Sequence, residues 1–150
     1  MKEPVQKIMT TDPITVSAHT NLHSVRQIFM SNKIHHIPVV GSTGMLIGLL
    51  TTYDLWKNEI APADYTNVKV ADVMSRRIAK ISASDKIGTA AEIFLDNRFH
   101  ALPVVDDANT LLGIVTSHDV LKYEYIKEYP QPLLFKDLFL PAELDTRVNA

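Results

Sequence analysis

The chain repeats itself at a spacing of 65 residues, and this repeat constrains its fold more than any other feature of the sequence. Without a gap, 15 of the 49 residue pairs from Met9/Met74 to Lys57/Lys122 are identical. Many of the remaining pairs exchange one apolar residue for another, as Ile37/Leu102 do. Self-similarity of this length indicates a fold that is built from two copies of one structural unit.

Each repeat has the pattern of a strand, a helix, a two-stranded hairpin and a second helix. In the first repeat, residues 13–16 form a short extended piece, and Thr20 is the predicted N-cap of a helix that runs to about Asn32. Apolar strands at 37–40 and 46–50 then flank a four-residue turn, and a second helix begins near Thr51, as its counterpart does near Thr116. The predicted fold class is α+β, with the order β-α-β-β-α in each repeat.

These patterns divide the chain into four parts. The first repeat covers residues 4–57, and a linker follows at 58–68, in which Pro62 ends the first unit. The second repeat covers 69–128, and a C-terminal extension covers 129–150. A unit of roughly 50 residues is too small to bury both faces of its sheet, so the two repeats are expected to pack about a pseudo-two-fold axis.

Composition and charge exclude several classes of function. The chain has no cysteine, which removes disulfides, Cys-ligated metals and Cys nucleophiles. Its formal net charge of −2 is far from the basic excess that nucleic-acid binding requires. The first residues lack the apolar core of a signal peptide, and no apolar stretch is long enough to span a membrane. We therefore expect a cytoplasmic protein that binds neither nucleic acid nor membranes.

Recognised catalytic motifs are also missing from the sequence. The chain has no G-x-S-x-G, no P-loop, no G-x-G-x-x-G and no closely spaced pair of acids on one element. We therefore expect a protein without enzymatic activity.

The two repeats resemble a known family. In each, a helix is followed by His-x-h-Pro-Val-Val, a turn and Leu-h-Gly-h-h-Thr-x-x-Asp-h, where h is an apolar residue. This doubled pattern is similar to a tandem pair of CBS domains, the Bateman module, over about residues 4–128. The resemblance implies a regulatory sensor whose two repeats enclose two related clefts. In many members these clefts bind adenine nucleotides or S-adenosylmethionine, which act as regulatory ligands rather than obligatory cofactors.

The motif at the start of the second helix in each repeat carries the first group of candidate ligand residues. These are Thr51 and Asp54 in the first repeat, and Thr116 and Asp119 in the second. The resemblance implies that the carboxylate binds ribose hydroxyls and that the threonine lies near the ribose or phosphate. A carboxylate suits this role because it can accept both hydrogen bonds of a cis-diol. The same spacing forms a capping box, so helix capping and ligand binding both remain open.

Histidines before the Pro-Val-Val strands form the second group. His35 and His36 precede the first strand, and His100 precedes the second. The resemblance implies that these histidines reach ligand phosphates. In the second repeat, Ala101 stands at the position of a second basic residue, and Arg98 is the candidate to replace that basic group. The alternative is that His35 and His100 cap the end of the preceding helix or pack beside the strand. No His spacing typical of a metal site is present, so we expect no metal.

Two valines complete the candidate site. Val39 and Val104, with the turns at 17–18 and 82–83, match family positions that border the adenine ring. The alternative is that these valines belong to the core, as valine in a short apolar strand usually does.

The predicted function is a sensor for an adenosine-containing ligand, namely AMP, ADP, ATP, NAD or S-adenosylmethionine. The alternative is a structural dimerisation module with vestigial clefts. A homodimer is expected in both cases, with Trp56, Leu121 and Tyr125 on its contact face. The effector protein that responds to the signal is unknown. In the C-terminal extension, six of the eight residues at 133–140 are large and apolar, so this stretch is expected to dock on its own module or on a partner.

Overall fold

The computed structural model describes residues 1–130, and its elements follow the predicted order in both repeats. Short 3-10 turns cover Val5–Lys7 and Pro62–Asp64. The strands are β1 (Thr10–Thr11), β2 (His36–Val40), β3 (Leu46–Thr51), β4 (Ile81–Ser82), β5 (Ala101–Val105) and β6 (Leu111–Thr116). The helices are α1 (Leu22–Asn32), α2 (Thr52–Lys57), α3 (Val70–Val73), α4 (Ile87–Asn97) and α5 (Ser117–Glu128). The predicted docking stretch at 133–140 lies outside the described residues.

Local boundaries agree with the sequence except at three positions. The extended piece predicted at 13–16 is not a strand, because β1 lies at Thr10–Thr11 and Val16 makes only an isolated bridge to Val39. Helix α1 ends at Asn32 as predicted, but its N-cap is Asn21, whose side chain accepts a hydrogen bond from the Ser24 N–H at 2.9 Å. The prediction of Thr20 is therefore wrong by one residue. Helix α2 ends at Lys57, ahead of Pro62, which instead begins a 3-10 turn. The linker thus contains a turn of its own.

The segments that lead into the repeats are exchanged between them. Strand β1, which precedes the first repeat's helix, pairs with β6 of the second repeat in a four-stranded sheet of order β1-β6-β5-β4. In the first repeat, β2 and β3 form a hairpin, and Ser75 from the second repeat's leading segment bridges Leu49 of β3. Each leading segment therefore completes the sheet of the other repeat.

The same exchange builds the two hydrophobic cores. The core around β2 and β3 contains Val70 and Val73, and the core around β5 and β6 contains Val5. Equivalent backbone hydrogen bonds fix both segments, from the Val5 N–H to the Asp85 carbonyl and from the Val70 N–H to the Thr20 carbonyl, each at 2.8 Å. Neither repeat can bury its apolar face without the other, which is why the two form one folding unit.

The two hairpins meet at a pseudo-two-fold axis. Met45 and Thr110, which are 65 residues apart, form a bridge across this axis. The Leu46 N–H donates to the Asn109 carbonyl at 2.9 Å, and the Leu111 N–H donates to the Gly44 carbonyl at 3.1 Å. These contacts fix the relative orientation of the two sheets, and with it the width of the spaces between the repeats. Within residues 1–130, no helix has the length and apolar character needed to cross a membrane.

Candidate functional site

Two clefts lie between the repeats and are related by the 65-residue shift. We call the cleft beside Thr51 the first cleft and the cleft beside Thr116 the second cleft. Each has a volume of about 560 Å³. Residues at equivalent positions line them, in the pairs Thr51/Thr116, Thr52/Ser117, Tyr53/His118, Leu49/Ile114, Ser75/Thr10, Arg77/Asp12, Ile78/Pro13, Arg98/Lys33 and Phe99/Ile34. Each cleft thus has a wall from each repeat.

Three histidines contribute to both clefts. His35, His36 and His100 line the first cleft and the second alike. The sequence assigned His35 and His36 to one repeat and His100 to the other, and the structure brings all three together near the pseudo-two-fold axis. A group bound in either cleft is therefore exposed to the same imidazoles.

The most enclosed of the three histidines has a shifted pKa. Burial lowers the pKa of His36 below its usual value of 6.5, and the neighbouring His100 and His35 lower it further. Asp54 opposes this shift because its negative charge favours the protonated imidazole. A negatively charged ligand group would act in the same direction as Asp54, so anion binding favours proton uptake by His36.

Asp54 holds the first turn of α2 in a complete capping box. Its Oδ2 accepts hydrogen bonds from the Thr51 N–H at 2.7 Å and from the Thr51 hydroxyl at 2.8 Å. The Asp54 N–H in turn donates to the Thr51 hydroxyl oxygen at 3.2 Å. Its Oδ1 lies 2.7 Å from Nζ of Lys57, and the side chain is only 2% exposed. Both carboxylate oxygens of Asp54 therefore already have partners.

The second repeat contains the same box with a less enclosed carboxylate. Oδ2 of Asp119 accepts from the Thr116 N–H at 2.8 Å and from the Thr116 hydroxyl at 2.6 Å. Asp119 is half-buried and lines a separate cavity of about 740 Å³ between the N-terminal segment and α5. Neither aspartate is among the residues that line the two clefts, although Thr51 and Thr116 are.

The two predicted adenine-bordering valines lie in the cores. Val39 and Val104 are both fully buried, one in each hydrophobic core, and neither lines a cleft. Their equivalent positions in β2 and β5 support the sheets that form the cleft walls. The structure thus places them behind the site rather than at its surface.

Sequence reasoning missed the residues that make the two clefts different. Arg77 and Arg98 line the first cleft, where the second has Asp12 and Lys33. Of these four residues, only Arg98 was predicted from the sequence, as a replacement for a missing basic residue. The repeat alignment contains the signal, because paired positions that differ in charge show where two related sites diverge. No group of histidines and acidic residues able to hold a metal ion is present within residues 1–130.

Comparison with known proteins assigns the repeats to a family. The family model described as CBS domain matches residues 5–55 and 70–125. Among solved structures, protein MJ1225 from Methanocaldococcus jannaschii is 30% identical with a TM-score of 0.76, over 82% of this chain and 48% of that one. CBSX2 in complex with AMP is 25% identical with a TM-score of 0.75, over 84% of this chain and 98% of that one. CBSX2 is a CBS-pair protein from Arabidopsis thaliana.

A further solved structure holds different adenosine compounds. The CBS domain pair of protein MJ0100, in complex with 5′-methylthioadenosine and S-adenosyl-L-methionine, is 27% identical with a TM-score of 0.70. That match covers 81% of this chain and 98% of the domain pair. The curated relatives are longer. A homoserine O-acetyltransferase from Methanocorpusculum labreanum is 29% identical over 123 residues, and the chain spans 24% of its length and 47% of MJ1225.

Proposed function

The chain belongs to the CBS domain family, and we propose that it is a regulatory module that binds an adenosine-containing ligand in the clefts between its repeats. The ligand is AMP, ADP, ATP, NAD or S-adenosylmethionine, and the module catalyses no reaction on it. The observation that carries the proposal is the pair of equivalent clefts, each of about 560 Å³ and lined by the same three histidines. This volume is in the range of small-molecule sites. Bound AMP, 5′-methylthioadenosine and S-adenosylmethionine in similar CBS pairs support it.

We assign the phosphate contacts to the shared histidines and the framework of each cleft to its capping box. His35, His36 and His100 supply N–H groups that can donate to a phosphate, and anion binding favours proton uptake by His36. Thr51 and Thr116 fix the start of the helices at the cleft walls. A ribose contact from Asp54 requires a carboxylate oxygen to be shared with the cap or with Lys57, whereas Oδ1 of Asp119 has neither contact within residues 1–130.

Ligand binding would be transmitted through the exchanged segments. In the second cleft, Thr10 belongs to the first repeat's leading segment, whereas Thr116 belongs to the second repeat. The first cleft has the reverse arrangement, with Ser75 opposite Thr51. A ligand that contacts both walls stabilises one spacing of the repeats. An effector protein that contacts both repeats would detect that change.

Ligand binding is expected to raise the melting temperature. At 100 times its dissociation constant a ligand stabilises the folded state by about 2.7 kcal/mol, which for a chain of this size is a shift of roughly 5–10 °C. The measurement is thermal unfolding of ligand-free protein with millimolar AMP, ADP, ATP, NAD or S-adenosylmethionine, with and without magnesium. Ribose 5-phosphate is the control without adenine. If none of the five shifts the transition by more than a degree, the sensor proposal fails.

The alternative, a dimerisation module, is favoured by exposed apolar residues at equivalent positions. Trp56 on α2 is 75% exposed, and Leu121 at the same position of α5 is 68% exposed. Tyr53 packs against Trp56, with the ring centroids 5.8 Å apart, and extends the patch. We therefore propose that these helix faces form a two-fold contact with a second copy of the chain.

Dimer formation is expected to depend on this patch. The variant carrying both Trp56→Glu and Leu121→Glu should be monomeric at tens of micromolar, where the parent is a dimer, because charged side chains would be buried against each other. Light scattering gives the mass of each. Thr43→Glu, in the exposed turn of the first hairpin, is the control and should leave the mass unchanged. A parent protein that is itself monomeric rules out the dimer.

A further inference from the structure

We propose that the two clefts differ in the charge of the ligand they select, with the first cleft taking the more anionic adenosine phosphates. The second cleft would take adenosyl ligands that are uncharged or carry a positive charge. This inference rests on the proposed function and names the ligand class of each cleft. The 65-residue repeat makes the comparison direct, because the clefts share their volume and their three histidines.

The difference comes from two pairs of equivalent positions. Arg77 and Arg98 line the first cleft, and no acidic residue is among the residues that line it. At the same two positions the second cleft has Asp12 and Lys33. The formal charge of these pairs is +2 in the first cleft and zero in the second, apart from the histidines. His118, in place of Tyr53, adds a titratable group to the second cleft but no fixed charge.

The backbone presents Lys33 and Arg98 in comparable ways, whereas Asp12 has a positive φ that its equivalent Arg77 lacks. Lys33 and Arg98 are the C-caps of α1 and α4, and both adopt the left-handed conformation, with φ of 51° and 54°. Asp12 has φ of 52°, which an aspartate tolerates better than most residues. Arg98 and Lys33 therefore have the same backbone conformation. The structure thus supports their equivalence independently of the sequence alignment.

Side-chain chemistry gives each cleft a preference. A guanidinium is charged at every accessible pH and donates paired N–H groups that match phosphate oxygens. The two guanidinium groups of the first cleft therefore raise its affinity for a ligand with each phosphate charge that the ligand carries. A carboxylate accepts hydrogen bonds but donates none, so Asp12 disfavours phosphate and favours the sulfonium of S-adenosylmethionine. Because all three side chains Asp12, Arg77 and Arg98 are exposed, solvent and salt reduce the preference without removing it.

The test is titration of the full chain with ATP, adenosine and S-adenosylmethionine at low and physiological salt. Calorimetry gives the affinities, and the amide resonances of Thr52 and Ser117 report which cleft is filled. We expect ATP to fill the first cleft at least 10-fold more tightly than the second. The affinities of the two clefts for adenosine should differ by less than threefold, and S-adenosylmethionine should bind the second cleft more tightly.

Variants separate fixed charge from cleft shape. Arg77→Gln and Arg98→Gln should each weaken ATP binding in the first cleft by about 10-fold and leave adenosine binding unchanged. The matched control is Arg76→Gln, because Arg76 does not line the cleft and donates to the Ala71 carbonyl at 3.2 Å. Asp12→Asn, which keeps the backbone preference, should strengthen ATP binding in the second cleft and weaken S-adenosylmethionine binding there.

Two results would overturn the inference in different ways. If adenosine and ATP bind but fill both clefts with equal affinity, or if Arg76→Gln weakens ATP as much as Arg77→Gln does, charge selection is wrong while the sensor function stands. If none of the three compounds binds at either cleft, both this inference and the proposed function are wrong.

Discussion

Replacing Gly113 with alanine is expected to lower the free energy of unfolding by about 1–3 kcal/mol, the typical cost of overpacking. The new Cβ would lie 2.6 Å from the Thr10 carbonyl oxygen and 3.0 Å from Sδ of Met9. The closest atom belongs to the backbone of β1, which pairs with β6 at this position. Relief of the contact therefore requires β1 to move away from the sheet of the second repeat.

The equivalent glycine of the first repeat provides the comparison. At Gly48 the new Cβ would lie 2.6 Å from Sδ of Met74, a flexible side chain, and 3.2 Å from the Ser75 carbonyl oxygen. The Met74 side chain can move, so Gly48→Ala should cost less than Gly113→Ala. Gly41→Ala is the control, since the nearest atom there is 3.8 Å away. Urea unfolding followed by circular dichroism measures all three.

The same substitution should affect the second cleft more than the first. Thr10 lines the second cleft, and displacement of β1 changes the wall that it forms. Adenosine binding detected at Ser117 should therefore weaken more in Gly113→Ala than binding detected at Thr52. If Gly113→Ala is as stable as Gly41→Ala, β1 does not hold the two repeats together in the way its pairing indicates.

Local elements could be predicted from the sequence because their signals lie within a few residues. The turn between β2 and β3 and the Thr-x-x-Asp caps at Thr51 and Thr116 depend on neighbouring side chains, and the structure has them where predicted. The N-cap of α1 was misplaced because Thr20 and Asn21 both favour this position. Only the backbone shows that the Asn21 side chain reaches the Ser24 N–H.

The exchange of leading segments could not be predicted from local pattern. Val5 and Val70 are apolar residues in short segments. The sequence pattern predicts that their side chains are buried but does not predict which of the two cores contains each of them. The hydrophobic core of either repeat could accommodate either valine. The choice depends on contacts across the pseudo-two-fold axis, such as those between Val5 and Asp85, which are 80 residues apart in the chain.

The shared histidines illustrate the same limit for the site. A repeat shows that His35 and His100 are equivalent but does not give the distance between them. Equivalent residues lie close together only when they are near the axis, and that depends on how the hairpins meet at Met45 and Thr110. Of the predicted site residues, the three histidines, Thr51 and Thr116 line the clefts, whereas Asp54, Asp119, Val39 and Val104 do not.

Asp54→Ala is expected to destabilise the chain by about 2–3 kcal/mol, more than Asp119→Ala, for which a cost of about 0.5–2 kcal/mol is typical of a lost cap. Both substitutions remove a capping box. Both losses leave a threonine N–H without its carboxylate acceptor, but only Asp54 is fully buried, and only its loss also removes the carboxylate partner of the Lys57 ammonium. Urea unfolding of the ligand-free variants gives the two values, and Lys57→Met isolates the contribution of the ion pair.

Titration of the same variants with adenosine separates capping from ligand binding. If the carboxylates only cap the helices, adenosine affinity should change by less than threefold once each variant is studied well below its unfolding transition. A carboxylate that binds the ribose contributes about 1.5–3 kcal/mol, so its loss weakens binding by a factor of 10 or more. Asp119 is the stronger candidate, because no cap contact or ion pair occupies its Oδ1 within residues 1–130, whereas Lys57 holds the Oδ1 of Asp54. Because neither aspartate lines a cleft, we expect adenosine affinity to change by less than threefold in both variants. A loss of 10-fold or more in Asp119→Ala would instead assign a ribose contact to its carboxylate.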